Sequence, residues 1–162
     1  MNDKNTAERG YHHGDLRDAL IRAADELLSE RGLEGFTLRE TARRAGVSPA
    51  APSHHFGGTA GLLTEVAAVG YQELADRLKI AGETGTPAER LKAQGVAYVR
   101  FAVDFPGRFH LMFRHDLLLK EQPSLEQATG QAWDALEKTV LAIRGQPENA
   151  ELDAEGEAML IG

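Results

Sequence analysis

The sequence predicts an all-α protein. An N-terminal three-helix module with helix-turn-helix proportions is joined by a bridging helix to a C-terminal helical bundle. Three observations predict this. Apolar residues recur at i, i+3, i+4 spacing along nearly every segment. Helix-capping signals punctuate the chain at Thr37, Ser48, Thr86 and Ser124. Alternation of strand type is rare, and no segment reads confidently as a strand.

The elements follow in order. Segment 15–31 sets Leu16, Ala19, Leu20, Ala23 and Leu27 on one helical face, with Asp15 as its cap and Gly32 at its C-terminal stop. Thr37-Leu38-Arg39-Glu40 reads as a capping box, with the Thr hydroxyl accepting from the Glu40 amide and the Glu carboxylate reaching back. The short helix it opens has Leu38, Ala42 and Ala45 on one face and ends at Gly46. Ser48 then serves as N-cap with Pro49 at the first helical position, opening a second short helix to about Phe56. Pro52 within it lacks an N–H, which predicts a tight first turn. Segment 59–80 reads as a long helix with Leu63, Val66, Ala67, Gly70, Leu74 and Leu78 inward. Beyond a linker at 82–85, Thr86-Pro87-Ala88-Glu89 is a second capping box, and its helix stops before Phe105-Pro106-Gly107. A short apolar segment around Phe109–Leu119 follows. Pro123-Ser124 starts another helix, capped by Ser124 and Gln127, with its stripe running from Leu125 to Ile143 and its end at Gly145-Gln146-Pro147. Residues 152–162 read as the opening turns of a last helix.

The chain has 162 residues, no cysteine, 42% apolar and 27% charged residues. Such a chain buries roughly 70% of its unfolded surface and needs no disulfide or metal staple. The absence of cysteine removes thiol catalysis and Cys-based zinc sites, and fits a reducing compartment. No apolar run is long enough for a membrane span, and the polar start MNDKNTAERGYHHGD is no secretory signal, so a cytoplasmic protein is expected. Net charge is −7, which argues against a nonspecific nucleic-acid coat. The distribution is uneven: residues 36–56 carry three Arg against one Glu, ahead of an acidic body.

That basic stretch holds the functional motif. Two short helices joined by Ala45-Gly46-Val47-Ser48 have helix-turn-helix proportions. Gly46 permits the positive φ of a tight turn, and Val47 plugs the angle between the helices. The second helix is slim, carrying Ala50, Ala51 and Ser53, so its N-terminal end fits a major groove about 12 Å wide. Arg39, Arg43 and Arg44 fall on the outward face of the first helix, suited to phosphate contacts. Thr37 and Ser48 cap their helices and stand close enough to the same surface to touch phosphates.

The run from Phe36 through Ala51, followed by His55-Phe56-Gly57 and Leu62-Leu63, closely resembles the DNA-binding region of the tetracycline-repressor (TetR) family. Tyr11-His12-His13-Gly14-Asp15-Leu16-Arg17 resembles the start of helix one in a subset of that family. Tyr98–Ala102, Pro106–Phe109 and Leu111–Phe113 resemble the effector domain of that subset, the WHG type. The resemblance implies a DNA-binding domain over 1–58, a bridging helix and linker over 59–85, and an effector-binding and dimerisation domain over 86–162, with the last helix incomplete. It implies a homodimer that represses from a palindromic operator in double-stranded DNA and is released when a small-molecule effector tilts the bridging helices. The DNA-binding residues would be Thr37, Arg39, Arg43, Arg44, Ser48, Pro49, Ala50, Ala51, Ser53, His54, His55 and Thr59. Ser53 stands where the family usually has a phosphate-binding Tyr and Thr59 where it usually has Lys, so His54 and His55 are expected to substitute in part. An effector pocket would be lined by Gln94, Tyr98, Phe101, Phe105, Phe109, Met112, Phe113 and Trp133, with His110, Arg114 and His115 as further polar candidates.

An enzyme is not expected. The histidines fall at 12–13, 54–55, 110 and 115, and adjacent helical side chains point about 100° apart. No H-x-x-x-H or H-E-x-x-H pair and no glycine-rich phosphate loop is present, so neither metal nor cofactor is expected. The alternative reading is a helical ligand-binding or interaction protein with weakened or lost DNA binding, suggested by Ser53, Thr59 and the acidic total.

Overall fold

The computed structural model describes residues 4–161, with side chains from 16 to 158. Its helices are α1 (Lys4–Arg31), α2 (Leu38–Arg44), α3 (Ala51–Phe56), α4 (Thr59–Ala81), α5 (Pro87–Asp104), α6 (Pro106–Met112), α7 (Pro123–Ile143) and α8 (Ala154–Ile161). A 3₁₀ turn covers His115–Leu117, and no strand occurs among the described residues.

The start of α1 differs from expectation. It lies at Lys4, well before Asp15, whose side chain falls outside the described residues, as do those of Tyr11, His12 and His13. Ala7, Glu8 and Arg9 are good helix formers but carry no apolar stripe, so periodicity gives no signal there.

Two capping signals also resolve differently. Thr86–Glu89 closes fully: the Glu89 carboxylate accepts from the Thr86 amide at 2.9 Å, and Thr86 Oγ1 accepts from the Glu89 amide at 3.4 Å. Thr37 accepts from the Glu40 amide at 3.2 Å, but Glu40 turns its carboxylate to Arg43 instead, at 2.8 Å to both Nε and Nη2. At the start of α7 the cap is Gln122 rather than Ser124, because the Ser124 hydroxyl donates to Glu65 Oε1 at 3.1 Å.

The expected N-cap at Ser48 is likewise displaced, since α3 begins at Ala51 with Ala50 as its cap. Pro52 cannot supply the amide that would bond the Ser48 carbonyl, so the Ala51 amide takes it one residue earlier, at 3.0 Å. The tight first turn expected from Pro52 is thus present. The apolar segment after α5 forms α6 and the 3₁₀ turn.

α4 is the spindle. Every residue from Gly61 to Ala68 is buried, and α1, α3, α5, α6 and α7 all pack on it. One apolar core runs without a break from Ile21, Ala24 and Leu28 of α1, through Leu62, Val66 and Leu74 of α4, to Phe101, Leu111 and Met112.

Two ion-pair clusters pin α1 to this core. Glu65, 7% exposed on α4, pairs with Arg17 at 2.5 Å and accepts from Gln122 Nε2 at 3.1 Å. Arg108 of α6, 8% exposed, forks onto both carboxylate oxygens of Asp25, with Nε–Oδ1 at 2.8 Å, and reaches Glu73 of α4 at 2.8 Å. Its guanidinium lies 4.8 Å from the Phe105 ring centre. Gly70 makes room for it, since a Cβ there would sit 2.9 Å from Arg108 Cγ.

Candidate nucleic-acid interface

The turn between α2 and α3 is a complete Schellman closure. Gly46, at φ 68°, donates to Arg43 O at 3.2 Å, and Val47 donates to Ala42 O at 3.0 Å. Only a residue free to adopt positive φ fits this point, so Gly46 sets the angle between the helices.

That angle turns α3 outward. Ser48, Pro49, Ala50, Ser53 and His54 are exposed, whereas Pro52 is buried and Ala51, His55 and Phe56 are half-buried against the module. The small side chains of Ala50 and Ser53 therefore face solvent, while Ala51, expected on the same reading face, is turned partly inward. The His54 and His55 rings meet edge-on at 5.5 Å. Thr59 is exposed at the first turn of α4, beside the end of α3. Thr37, Arg39, Glu40, Arg43 and Pro49 line a cleft of about 380 Å³ between the start of α2 and the turn into α3.

The three arginines separate. Arg39 and Arg43 are exposed, as expected. Arg44 is not on the outward face: its side chain is 15% exposed and turns back onto α1, pairing with Glu30 at 2.5 Å and with Glu40 at 3.4 Å. Arg39 and Arg43, four residues apart, share one face, whereas Arg44 lies about 100° further round, where the carboxylate of Glu30 on α1 captures it.

Glu40 escapes a reading based on capping alone, yet it governs this surface. Its carboxylate is held down at a pKa of about 2, first by the hydrogen bond and charge of Arg43, then by the hydrogen bond from Arg44 and the charge of Arg31. The hydrogen bond from Arg44 likewise lowers the Glu30 carboxyl. The signal for Glu40 is its i+3 and i+4 spacing to Arg43 and Arg44. A carboxylate depressed below its ordinary 4.5 stabilises the fold above that value and loses the contribution as pH falls towards about 2. NMR titration of the Glu40 side chain is therefore expected to show it still ionised at pH 4, with a midpoint near 2.

The profile described as "Bacterial regulatory proteins, tetR family" matches residues 20–66, the end of α1 through the first turns of α4. Over 78 residues the chain is 40% identical to the HTH-type transcriptional regulator BetI of Brucella anthropi. Residues 20–66 form a TetR-family domain. The BetI match takes in 48% of this chain and 40% of that relative's length. Among solved structures, the chain is similar to a protein of unknown function from Rhodococcus sp. RHA1, at 30% identity and a TM-score of 0.73, over 93% of this chain and 78% of that one. It shares its fold with the TetR family transcriptional regulator PfmR of Thermus thermophilus, at 24% identity and a TM-score of 0.63, over 87% and 80% of the two chains.

The residues assigned to an effector pocket do not form one lining. Tyr98, Phe101, Phe105, Phe109 and Phe113 pack ring on ring, with centres 5.5 Å apart for Tyr98–Phe109 and 4.9 Å for Phe109–Phe113. Burial raises the Tyr98 phenol. Met112 is buried beside Gly70, and Trp133 stands 40% exposed on α7. His110 and His115 are exposed, and Arg114 pairs with Asp116 at 2.7 Å. Gln94 is 1% exposed at the edge of a separate cleft of about 620 Å³ between α4, α5 and α7. Its Nε2 donates to Ala135 O at 2.8 Å and Leu78 O at 3.2 Å, and its Oε1 has no partner among the described residues. No cluster that could hold a metal ion occurs among the described residues, and no helix there is long and apolar enough to cross a membrane.

Proposed function

We propose that the chain is a ligand-responsive DNA-binding transcriptional regulator, a repressor that binds a palindromic operator as a homodimer in the cytoplasm and is released by a small-molecule effector. The observation that carries this is the outward face of α3, slim and apolar-to-neutral, braced by a helix with Arg39 and Arg43 in solvent. Residues 1–58 would read DNA, with Thr37, Ser48, Arg39, Arg43, His54, His55 and Thr59 on phosphates and Pro49, Ala50, Ala51 and Ser53 in the major groove. Residues 59–85 would relay tilt, and 86–162 would take the effector and pair on α7, where Trp133 and Ile143 are exposed. No catalytic step belongs to this reading.

Selection from a random duplex library at low salt is expected to enrich a palindrome with half-sites about one helical turn, roughly 34–36 Å, apart. Arg43→Ala should weaken binding to every sequence alike and lower the salt slope by about one per half-site, whereas changes at Ala50 should alter base preference. No enriched palindrome overturns the reading.

Glu40 favours a second reading. It pairs with both Arg43 and Arg44 in a chain that also carries Ser53 and Thr59 in place of the family's usual Tyr and Lys, which suits a helical ligand-binding protein with weakened DNA binding. Glu40→Gln is expected to tighten binding to all duplexes and to steepen the salt slope by about 0.9 for each further phosphate neutralised. Gel shift over a salt series checks both. Binding detectable only in the Glu40→Gln variant would favour the second reading.

A further inference from the structure

An open groove of about 600 Å³ runs between the C-terminal half of α4 and the outer face of α5. It is remote from α2 and α3, and distinct from the Gln94 cleft. Its floor is aliphatic, with Ile80, Ala81 and Val96 in it. Ile80 is 67% exposed and Val96 45%, an unusual display for large aliphatic side chains. Val99 and Val103 continue the stripe along α5.

The rim is basic. Lys92 and Arg100 border the groove, and neither has an ion-pair partner among the described residues. They stand eight residues apart on α5 with Val96 midway, so about 12 Å of helix separates them. Arg77 closes the third side, held by Glu73 at 3.0 Å and Asp104 at 2.9 Å, with its guanidinium 5.0 Å from the Phe105 ring centre. The carboxylate at the rim, Glu89, is occupied by the Thr86 cap. A locally positive, apolar-floored groove on a chain of net charge −7 is complementary to a molecule that is apolar along its length and negative at its head.

We propose that this groove binds a free amphipathic anion, a carboxylate head on an aliphatic body of roughly ten carbons, the length of eight helical residues. The head is taken by Lys92 or Arg100, and the body lies on Ile80 and Val96. Oxygen acceptors on the head match the ammonium and guanidinium donors, and the aliphatic body covers side chains now in water. The proposal does not require DNA binding, so the two can fail separately.

The test is calorimetric titration of the full chain with laurate below its micellar concentration. Dodecyltrimethylammonium, with an alkyl tail one carbon longer and the opposite charge, is titrated in parallel. Laurate is expected to bind saturably at one site per chain, and the cation at least roughly tenfold more weakly. Lys92→Glu with Arg100→Glu should weaken laurate by roughly tenfold and reverse that preference, and Val96→Gln should weaken both amphiphiles. These side chains are exposed, so the variants should melt as the parent does. Absence of saturable laurate binding, equal binding of the two amphiphiles, or laurate binding indifferent to the double variant would overturn the proposal. So would sedimentation showing that Val96→Gln dissociates a dimer, since the face would then belong to a second copy.

Discussion

Gly61→Ala is expected to abolish tight operator binding while leaving most of the helical structure in place. A Cβ at this position would collide with the Phe56 carbonyl oxygen and lie 2.9 Å from its carbon. Both are backbone atoms, so no side-chain rotation relieves the clash. The end of α3 must move away from α4. Overpacking of this kind costs about 1–3 kcal/mol, offset in part by the gain of up to about 1 kcal/mol from replacing a helical glycine. The larger consequence is positional, because α3 is anchored through Phe56 and its displacement shifts every side chain offered to the groove. Each base pair no longer read costs about 1–3 kcal/mol, so affinity should fall at least roughly tenfold per half-site. Gly95→Ala is the control. It is also a helical glycine, but its added Cβ would meet nothing within 4 Å, so it should stabilise by about 0.5–1 kcal/mol and leave DNA binding alone. Quantitative gel shift with thermal melting of both variants checks this. Unchanged affinity in Gly61→Ala would show that α3 is not held at this point.

Arg108→Ala should produce the largest loss of stability. The guanidinium is buried among Asp25 of α1, Glu73 of α4 and the Phe105 ring. Removing it leaves the Asp25 carboxylate without its ion-pair partner. Breaking a buried pair from one side costs about 3–5 kcal/mol, and since the Asp25 side chain is 22% exposed the lower end applies. For a chain of this size, about 3 kcal/mol lowers the Tm by roughly 6–12 °C. Combining Asp25→Asn with Arg108→Met should recover much of that loss, because no buried charge is then stranded. Thermal denaturation followed by helical circular dichroism checks both variants. A double variant no better than the single one would assign the cost to lost packing on Phe105.

Features encoded within a few residues are the ones legible in the sequence. Thr37 caps α2, Gly46 turns the chain, and the small face of α3 points outward, because each depends on neighbours close in the chain. Length and periodicity likewise locate α4, α5 and α7 to within a residue or two. Elsewhere a local signal loses to a distant partner. Ser124 abandons its cap for Glu65, 59 positions away, and Arg44 leaves the outward face for Glu30. The Asp25–Arg108 pair spans 83 positions and leaves no trace in spacing. Gly61 looks like a weak point in a helix, and only the approach of Phe56 gives it a purpose. In the effector half, helical spacing selects Phe101, Phe105 and Phe109 as an inward face but misplaces Phe113 and Trp133, which stand 47% and 40% exposed, and periodicity cannot distinguish rings stacked on one another from rings around a void.

The unbroken apolar interior from α1 to α6 has a mechanical meaning. Arg17 fastens α1 to α4 and Asp25 fastens it to α6, two helical turns apart, so one helix is shared by the interior of both halves.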